Sequence, residues 1–187
     1  MELLIITGPP YSGKGTQCDV LKKELNYQHI STGDRCRDEK DRKTTIGLQL
    51  DHYQKKGDLV PDDIMKDLFS QILDENMESK GVILDGYPRT KNQVDSLIEL
   101  TQEKNIQVSK VLNIEVSKEV LLQRAKKRAE TSDREDDKNP ETHLKRIRIF
   151  QEETLPAIEY MKSKFEVVTF NGLGTVEEIS QKIKASL

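Results

Sequence analysis

The sequence has no tryptophan, only two cysteines, and aromatic residues amount to 5% of its 187 residues. So few rings give no interleaving of aromatic and basic side chains on which nucleic-acid bases could stack. Lys and Arg total 30 against 33 Asp and Glu, a net charge of -3, which argues against general affinity for polyanions but allows a local basic cluster. Cys18 and Cys36 are not arranged as a metal knuckle, and without a secretory context they read as reduced thiols. No stretch approaches the roughly 18 apolar residues of a spanning helix. The N-terminus has a short apolar run but not the basic segment and longer apolar segment of a secretory leader. The expectation is a soluble, cytoplasmic, single-domain protein with room for a small appended lobe.

What is present is an alternation of short apolar runs and amphipathic stretches. Strands are predicted at Leu3–Thr7, Val82–Asp85, Val108–Val116 and Phe165–Phe170. Helices are predicted at Gly13–Leu25 (core side Val20, Leu21, Leu25), Asp34–Lys43, Thr45–Lys56, Pro61–Lys80, Thr90–Glu103 and Lys118–Ala129. Two more follow, a long one at Glu141–Lys164 bent near Pro156, and Val176–Ala185. Ile30–Asp34 reads as a tight polar connection. The pattern implies an α/β fold with a mostly parallel sheet. Two segments break it. Asp34 to about Lys80 is nearly all helix, too long for one crossover, and fits a small helical lobe. Glu130–Pro140 is the most polar segment and fits a flap.

Chemistry concentrates behind the first strand. In Gly8-Pro9-Pro10-Tyr11-Ser12-Gly13-Lys14-Gly15-Thr16 the residues Gly8, Gly13 and Lys14 fit a phosphate-binding loop. Its backbone N–H groups and the following helix N-terminus face phosphates, and the lysine reaches the outer ones. Gly15 stands where a hydroxyl usually holds magnesium, and Thr16 follows, so the ion is expected to be held mainly through water. Asp85 ends a buried strand at the edge where ligands bind and suits the water shell of magnesium. Arg37, Arg89, Arg124, Arg128, Arg134 and Arg146 are the candidate phosphate clamps, since a guanidinium fork matches phosphate oxygens. Arg134, Asp136 and Asp137 form a charged cluster in the flap.

The blocks GPPYSGKGTQ, ISTGDRCR, GDLVPDD, GVILDGYPRTKNQ, RAKKRAETSDREDD and LKRI span most of the chain in order. Together they resemble the adenylate kinase and nucleoside monophosphate kinase family. The resemblance implies a P-loop three-layer sandwich around a parallel five-stranded sheet. It also implies a helical NMP-binding lobe at about 31–60 and a short lid at about 129–139 that closes over the site. It implies ATP contacts at Gly8, Ser12, Gly13, Lys14, Gly15, Thr16, Arg124 and Gly174, the last within Asn171-Gly172-Leu173-Gly174. It implies AMP contacts at Thr32, Arg37, Val60, Gly86, Arg89 and Gln93. Lys14, Arg89, Arg128, Arg134 and Arg146 would act on the moving phosphoryl group, Asp85 on magnesium through water, and Asp136 and Asp137 as lid carboxylates.

Related pyrimidine kinases usually carry Ala where Thr32 stands, and Asn where Thr90 and Gln93 stand, so AMP is the expected acceptor. The lid has no cysteine cluster, hence no zinc is expected, and a monomer is implied. The expected reaction is ATP plus AMP giving two ADP. The alternatives are a kinase for UMP, CMP or another monophosphate, and a nucleotide-binding regulatory protein of low activity. Two departures from the family pattern bear on this. Tyr11 stands where glycine is usual, and it is expected to turn its ring away from the β-phosphate while the loop keeps its path. Arg35 and Cys36 replace commonly apolar residues, with Arg35 either solvated or adding charge beside the acceptor.

Overall fold

Leu3, Leu4, Ile5 and Ile6 are all buried. A run without alternation is what a strand covered on both faces requires. The computed structural model describes residues 1–132 and 137–187. In chain order the elements are β1 (Glu2–Thr7), α1 (Lys14–Leu25), β2 (Gln28–Ser31), α2 (Thr32–Asp41), α3 (Thr45–Lys56) and α4 (Asp62–Glu75). Then come β3 (Gly81–Asp85), α5 (Lys91–Glu103), β4 (Gln107–Glu115), α6 (Lys118–Thr131) and α7 (Pro140–Ile149). A π turn (Phe150–Thr154), α8 (Leu155–Lys162), β5 (Val167–Asn171) and α9 (Val176–Lys184) complete the chain.

The five strands form one parallel sheet in the order β2-β3-β1-β4-β5. Alternate residues of β1 serve opposite faces: Leu3 and Ile5 join one apolar cluster, Leu4 and Ile6 the other. The first cluster is closed by α4, α5 and α8 through Leu68, Phe69, Leu97 and Ile158, the second by α1 and α9 through Leu21 and Ile183. After β1 the chain leaves towards β2 on one side, and after β3 it crosses to β4 on the other. The carboxyl ends of β1 and β3 therefore flank a point where the winding reverses, the usual place for a ligand crevice. Register puts Ile6 beside Asp85 there.

Helix starts follow local chemistry. Ser31, Thr90 and Asn139 each accept a hydrogen bond from a backbone N–H of the helix they open. Thr175 and Glu178 form a full capping box on α9.

Several expectations need correction. The expected connection Ile30–Asp34 contains the end of β2 and the start of α2. This strand lies at the sheet edge and is only partly buried, so it carries no apolar run to announce it. Helix α4 ends at Glu75, not Lys80, with Asn76 capping back on the Ile72 carbonyl. On α1 Leu21 is buried and Leu25 packs against the second cluster as expected, but Val20 does not join it, and Gln17 and Cys18 complete the buried face. The long C-terminal helix is three pieces. Pro156 sits at the start of α8 and cannot donate to the carbonyl four residues back, and the π turn just before it absorbs that missing bond. No helix among the described residues is long and apolar enough to cross a membrane.

Candidate active site

The loop after β1 starts with a close approach. A Cβ at Gly8, whose φ is 139°, would lie 2.4 Å from the Ile114 carbonyl oxygen on β4, so only glycine lets the chain turn there. The turn carries Lys14 back over the loop, where its Nζ donates to the Gly8 and Pro9 carbonyls at 2.9 Å each. Burial pushes the Lys14 ammonium down from its ordinary value. The neighbouring Asp85 carboxylate offsets part of this, and Arg89 adds to it. The His29 imidazole lies beside Asp85, with Nε2 3.9 Å from Oδ2.

Gly8, Lys14, Asp85 and Arg89 line a cavity of about 420 Å³ at the carboxyl end of the sheet. Gly8, Gly13, Lys14, Gly15 and Thr16 form one wall, and Thr32, Arg37, Val60, Gly86, Arg89 and Gln93 form another. Arg128 and Arg146 reach it from α6 and α7. Gly86 has φ 89°, and a Cβ there would meet Arg89 Nη2 at 2.8 Å and Thr32 Oγ1 at 2.9 Å. Its bare backbone lets those two side chains converge. Arg89 Nε donates to the Gly86 carbonyl at 2.6 Å, and Thr32 Oγ1 donates to the Asp85 carbonyl at 3.1 Å. Gln93 is buried, its Oε1 accepting from the Arg89 backbone N–H (2.7 Å) and its Nε2 donating to Asp62 (2.8 Å). An amide has two acceptor positions and two donor hydrogens, so one of each is left for a ligand. Arg37 pairs with Asp34.

The second group of arginines converges on one carboxylate. Asp137 is fully buried and accepts from Arg128 Nε (2.7 Å), Arg146 Nη1 (3.1 Å) and Ser132 Oγ (2.9 Å). Arg146 Nη1 also donates to the Tyr11 hydroxyl at 3.3 Å. That hydroxyl meets Nδ1 of His143 at 2.5 Å, and the two rings pack edge to face. Since arginine only donates, the phenol oxygen accepts from Arg146 and its own proton is available to His143. Tyr11 thus ties the phosphate loop to α7. Its φ is 68°, so it occupies the left-handed conformation that the expected glycine would favour, at a cost for a tyrosine.

A smaller cavity of about 210 Å³ lies behind Tyr11, lined by Ser12, Arg124, Gly172 and Gly174. Arg124 Nη1 donates to the Ser12 carbonyl (3.1 Å) and Nη2 to the Gly172 carbonyl (2.8 Å), stapling the phosphate loop to the loop after β5. Tyr11 borders both cavities.

Most of the residues singled out from sequence therefore stand around two adjoining cavities. Arg134 and Asp136 lie outside the described residues. Arg35 is neither simply solvated nor beside the acceptor wall; it pairs with Glu39 (3.2 Å) and Glu75 (2.6 Å), tying α2 to α4. Cys36 is buried at the cavity wall, and burial pushes its thiol up against the opposing pull of Arg89 and Arg37. Sequence reasoning missed Asp62 and His143. Asp62 follows Pro61 and reads as a helix start, and His143 is a single histidine on a helix; neither belongs to a recognisable local pattern.

A family model described as adenylate kinase matches residues 6–166. A protein named adenylate kinase from Parabacteroides distasonis is 39% identical over 184 residues, covering 98% of this chain and 96% of its own. One from Leptospira biflexa serovar Patoc is 38% identical over 187 residues, the whole of both chains. One from a Hydrogenobaculum species is 34% identical, covering 99% of this chain and all of its own.

Proposed function

The chain belongs to the adenylate kinase family, and on that premise we propose that it catalyses reversible, magnesium-dependent transfer of the γ-phosphoryl group of ATP to AMP, giving two ADP. The observation that carries this reading is the cavity lined by Lys14, Arg37, Arg89, Arg128 and Arg146, with the Asp85 carboxylate at the end of β3 among them. Five cations around one space suit the crowded phosphates of two nucleotides better than those of one.

The larger cavity takes the phosphates and the acceptor nucleotide, and the smaller one the donor base against Gly172, Gly174 and Arg124. On this reading Lys14 leaves the Gly8 and Pro9 carbonyls for the β- and γ-phosphates. Arg37 and Arg89 hold the acceptor phosphate, and Gly86 allows its nucleoside to lie against bare backbone. Thr32, Val60 and Gln93 surround the acceptor base, with the free capacity of the Gln93 amide turned to the adenine edge. An oxygen of the AMP phosphate forms a bond to the γ-phosphorus as the bond to the β-phosphate oxygen breaks. Arg128 and Arg146 exchange their hold on Asp137 for the charge spread over the moving group. Alignment and charge stabilisation do the work, so no strong base is needed.

The Asp85 carboxylate lines the cavity with the His29 ring 3.9 Å away, which leaves oxygens to order the water around a magnesium ion. Bound there with ATP, magnesium would neutralise phosphate charge. The lobe at about 31–60 and the lid at about 129–139 would close to exclude water.

The test is a coupled assay with ATP, magnesium and one monophosphate at a time. ADP formation with AMP far above that with GMP, CMP or UMP is the expected result. Preference for CMP or UMP would overturn the roles of Thr32 and Gln93, and ATP binding without transfer to any acceptor would overturn the reaction.

A further inference from the structure

Behind the phosphate loop, three side chains of different chemistry meet. Cys18 on α1, His29 on β2 and Asp85 at the end of β3 bring a thiol sulfur, an imidazole nitrogen and a carboxylate oxygen within 4.8 Å of one another. Cys18 is fully buried, and the His29 and Asp85 side chains are each 14% exposed. His29 Nε2 is a buried nitrogen without a hydrogen-bond partner, 3.9 Å from Asp85 Oδ2. Buried polar atoms rarely go unpaired, and this one is turned to a carboxylate at a separation too long for a hydrogen bond. The other ring nitrogen, Nδ1, lies 3.6 Å from Asp19 Oδ1. A carboxylate behind an imidazole is the arrangement that orients metal-binding histidines and raises their basicity.

We infer that Cys18, His29 and Asp85 form a binding site for one soft divalent cation, zinc fitting best, and that filling it withdraws Asp85 from the phosphate cavity. The second half rests on the reading of Asp85 given above; the site itself does not. Thiolate and carboxylate together neutralise a divalent ion, so the filled site carries no net charge where charge would be costly. Sulfur and imidazole ligands select zinc over magnesium, which wants about six oxygens. Zinc bonds of about 2.0 to 2.3 Å place tetrahedral ligands some 3.3 to 3.8 Å apart. The cluster must therefore tighten by about 1 Å at its widest. Binding moves one proton, from the Cys18 thiol to solvent, and a water fills the fourth position. Lys14 interacts with Asp85, so a cation there also takes up the anion that now offsets its charge.

Cobalt(II) is the probe for the site, since a bound thiolate gives it a near-ultraviolet charge-transfer band. The intact protein and Cys36→Ser, which removes the other thiol, should both saturate at one ion per chain. The band should vanish in Cys18→Ser. It should need at least about tenfold more cobalt in His29→Gln, a half-buried position that decides the matter if Cys18→Ser fails to fold. No band in the intact protein, or one indifferent to both Cys18→Ser and His29→Gln, overturns the site. Zinc at saturation, with magnesium and ATP in excess, should lower transfer at least about tenfold in the intact protein and spare His29→Gln. Transfer at the zinc-free rate in the zinc-loaded protein overturns the withdrawal of Asp85. A protein inactive without zinc would speak against the proposed reaction and leave the cobalt result to decide the site.

Discussion

Tyr11 keeps a left-handed backbone in a loop position that suits glycine, and its hydroxyl joins Arg146 to His143. The strain, of order 1 kcal/mol, is offset by contacts that reach across to α7. Tyr11→Phe keeps the ring and removes only the oxygen. Folding stability should fall by about 1 kcal/mol in denaturant titration. Turnover should fall by less than about tenfold, because Arg146 keeps Asp137. An unchanged stability would show that the hydroxyl contacts contribute nothing. At Lys14 the sign of a pH effect can be worked out. Burial lowers its ammonium in the free protein, and a bound triphosphate raises it again. ATP affinity should therefore weaken as pH rises through the lowered value of the free protein, below the ordinary 10.5. Binding there should take up protons. Calorimetry in buffers of different ionisation heat measures this, and proton release would contradict it. These residues were legible because they sit in contiguous motifs. Asp62, His143 and the meeting of Cys18 with His29 were not, since each depends on partners brought close only by folding.

The elements show where periodicity informs and where it does not. Helix α3 begins and ends where its pattern predicts, and α5 starts at the residue after its Thr90 cap. Strand β2 escaped because an edge strand only partly covered needs no apolar run. The π turn escaped because proline announces an interruption but not its form. Within the segment read as the acceptor lobe, α2 and α3 touch at Gly47, where a Cβ would lie 2.0 Å from the Glu39 carbonyl oxygen. The obstacle is backbone, so Gly47→Ala must push the two helices apart. We expect a rise in KM for AMP of about tenfold or more, with ATP affinity within about twofold of the parent, as a separate lobe would behave. Equal losses for both nucleotides would show that the lobe is not independent of the donor side.

At the scale of the whole molecule, β1 is the shared wall of two apolar clusters, and the alternation of its buried side chains assigns them in turn. Leu4→Ala and Ile5→Ala each remove a buried side chain from a different face. Each should cost about 2 to 5 kcal/mol while unfolding stays a single transition. A second transition appearing in either variant would mean that the faces fold separately. The α/β class was readable from alternating patterns, whereas the strand order, and with it the crevice between β1 and β3, depends on pairings that no local stretch encodes. Arg128 and Ser132 both bond Asp137, so the two ends of the excursion after α6 are clasped before the chain between them is considered. Closing a longer connection costs only about 0.6 kcal/mol more for each doubling of its length. An insertion between 132 and 137 therefore starts and ends at residues already fastened to each other, so added chain there need not pull on the sheet.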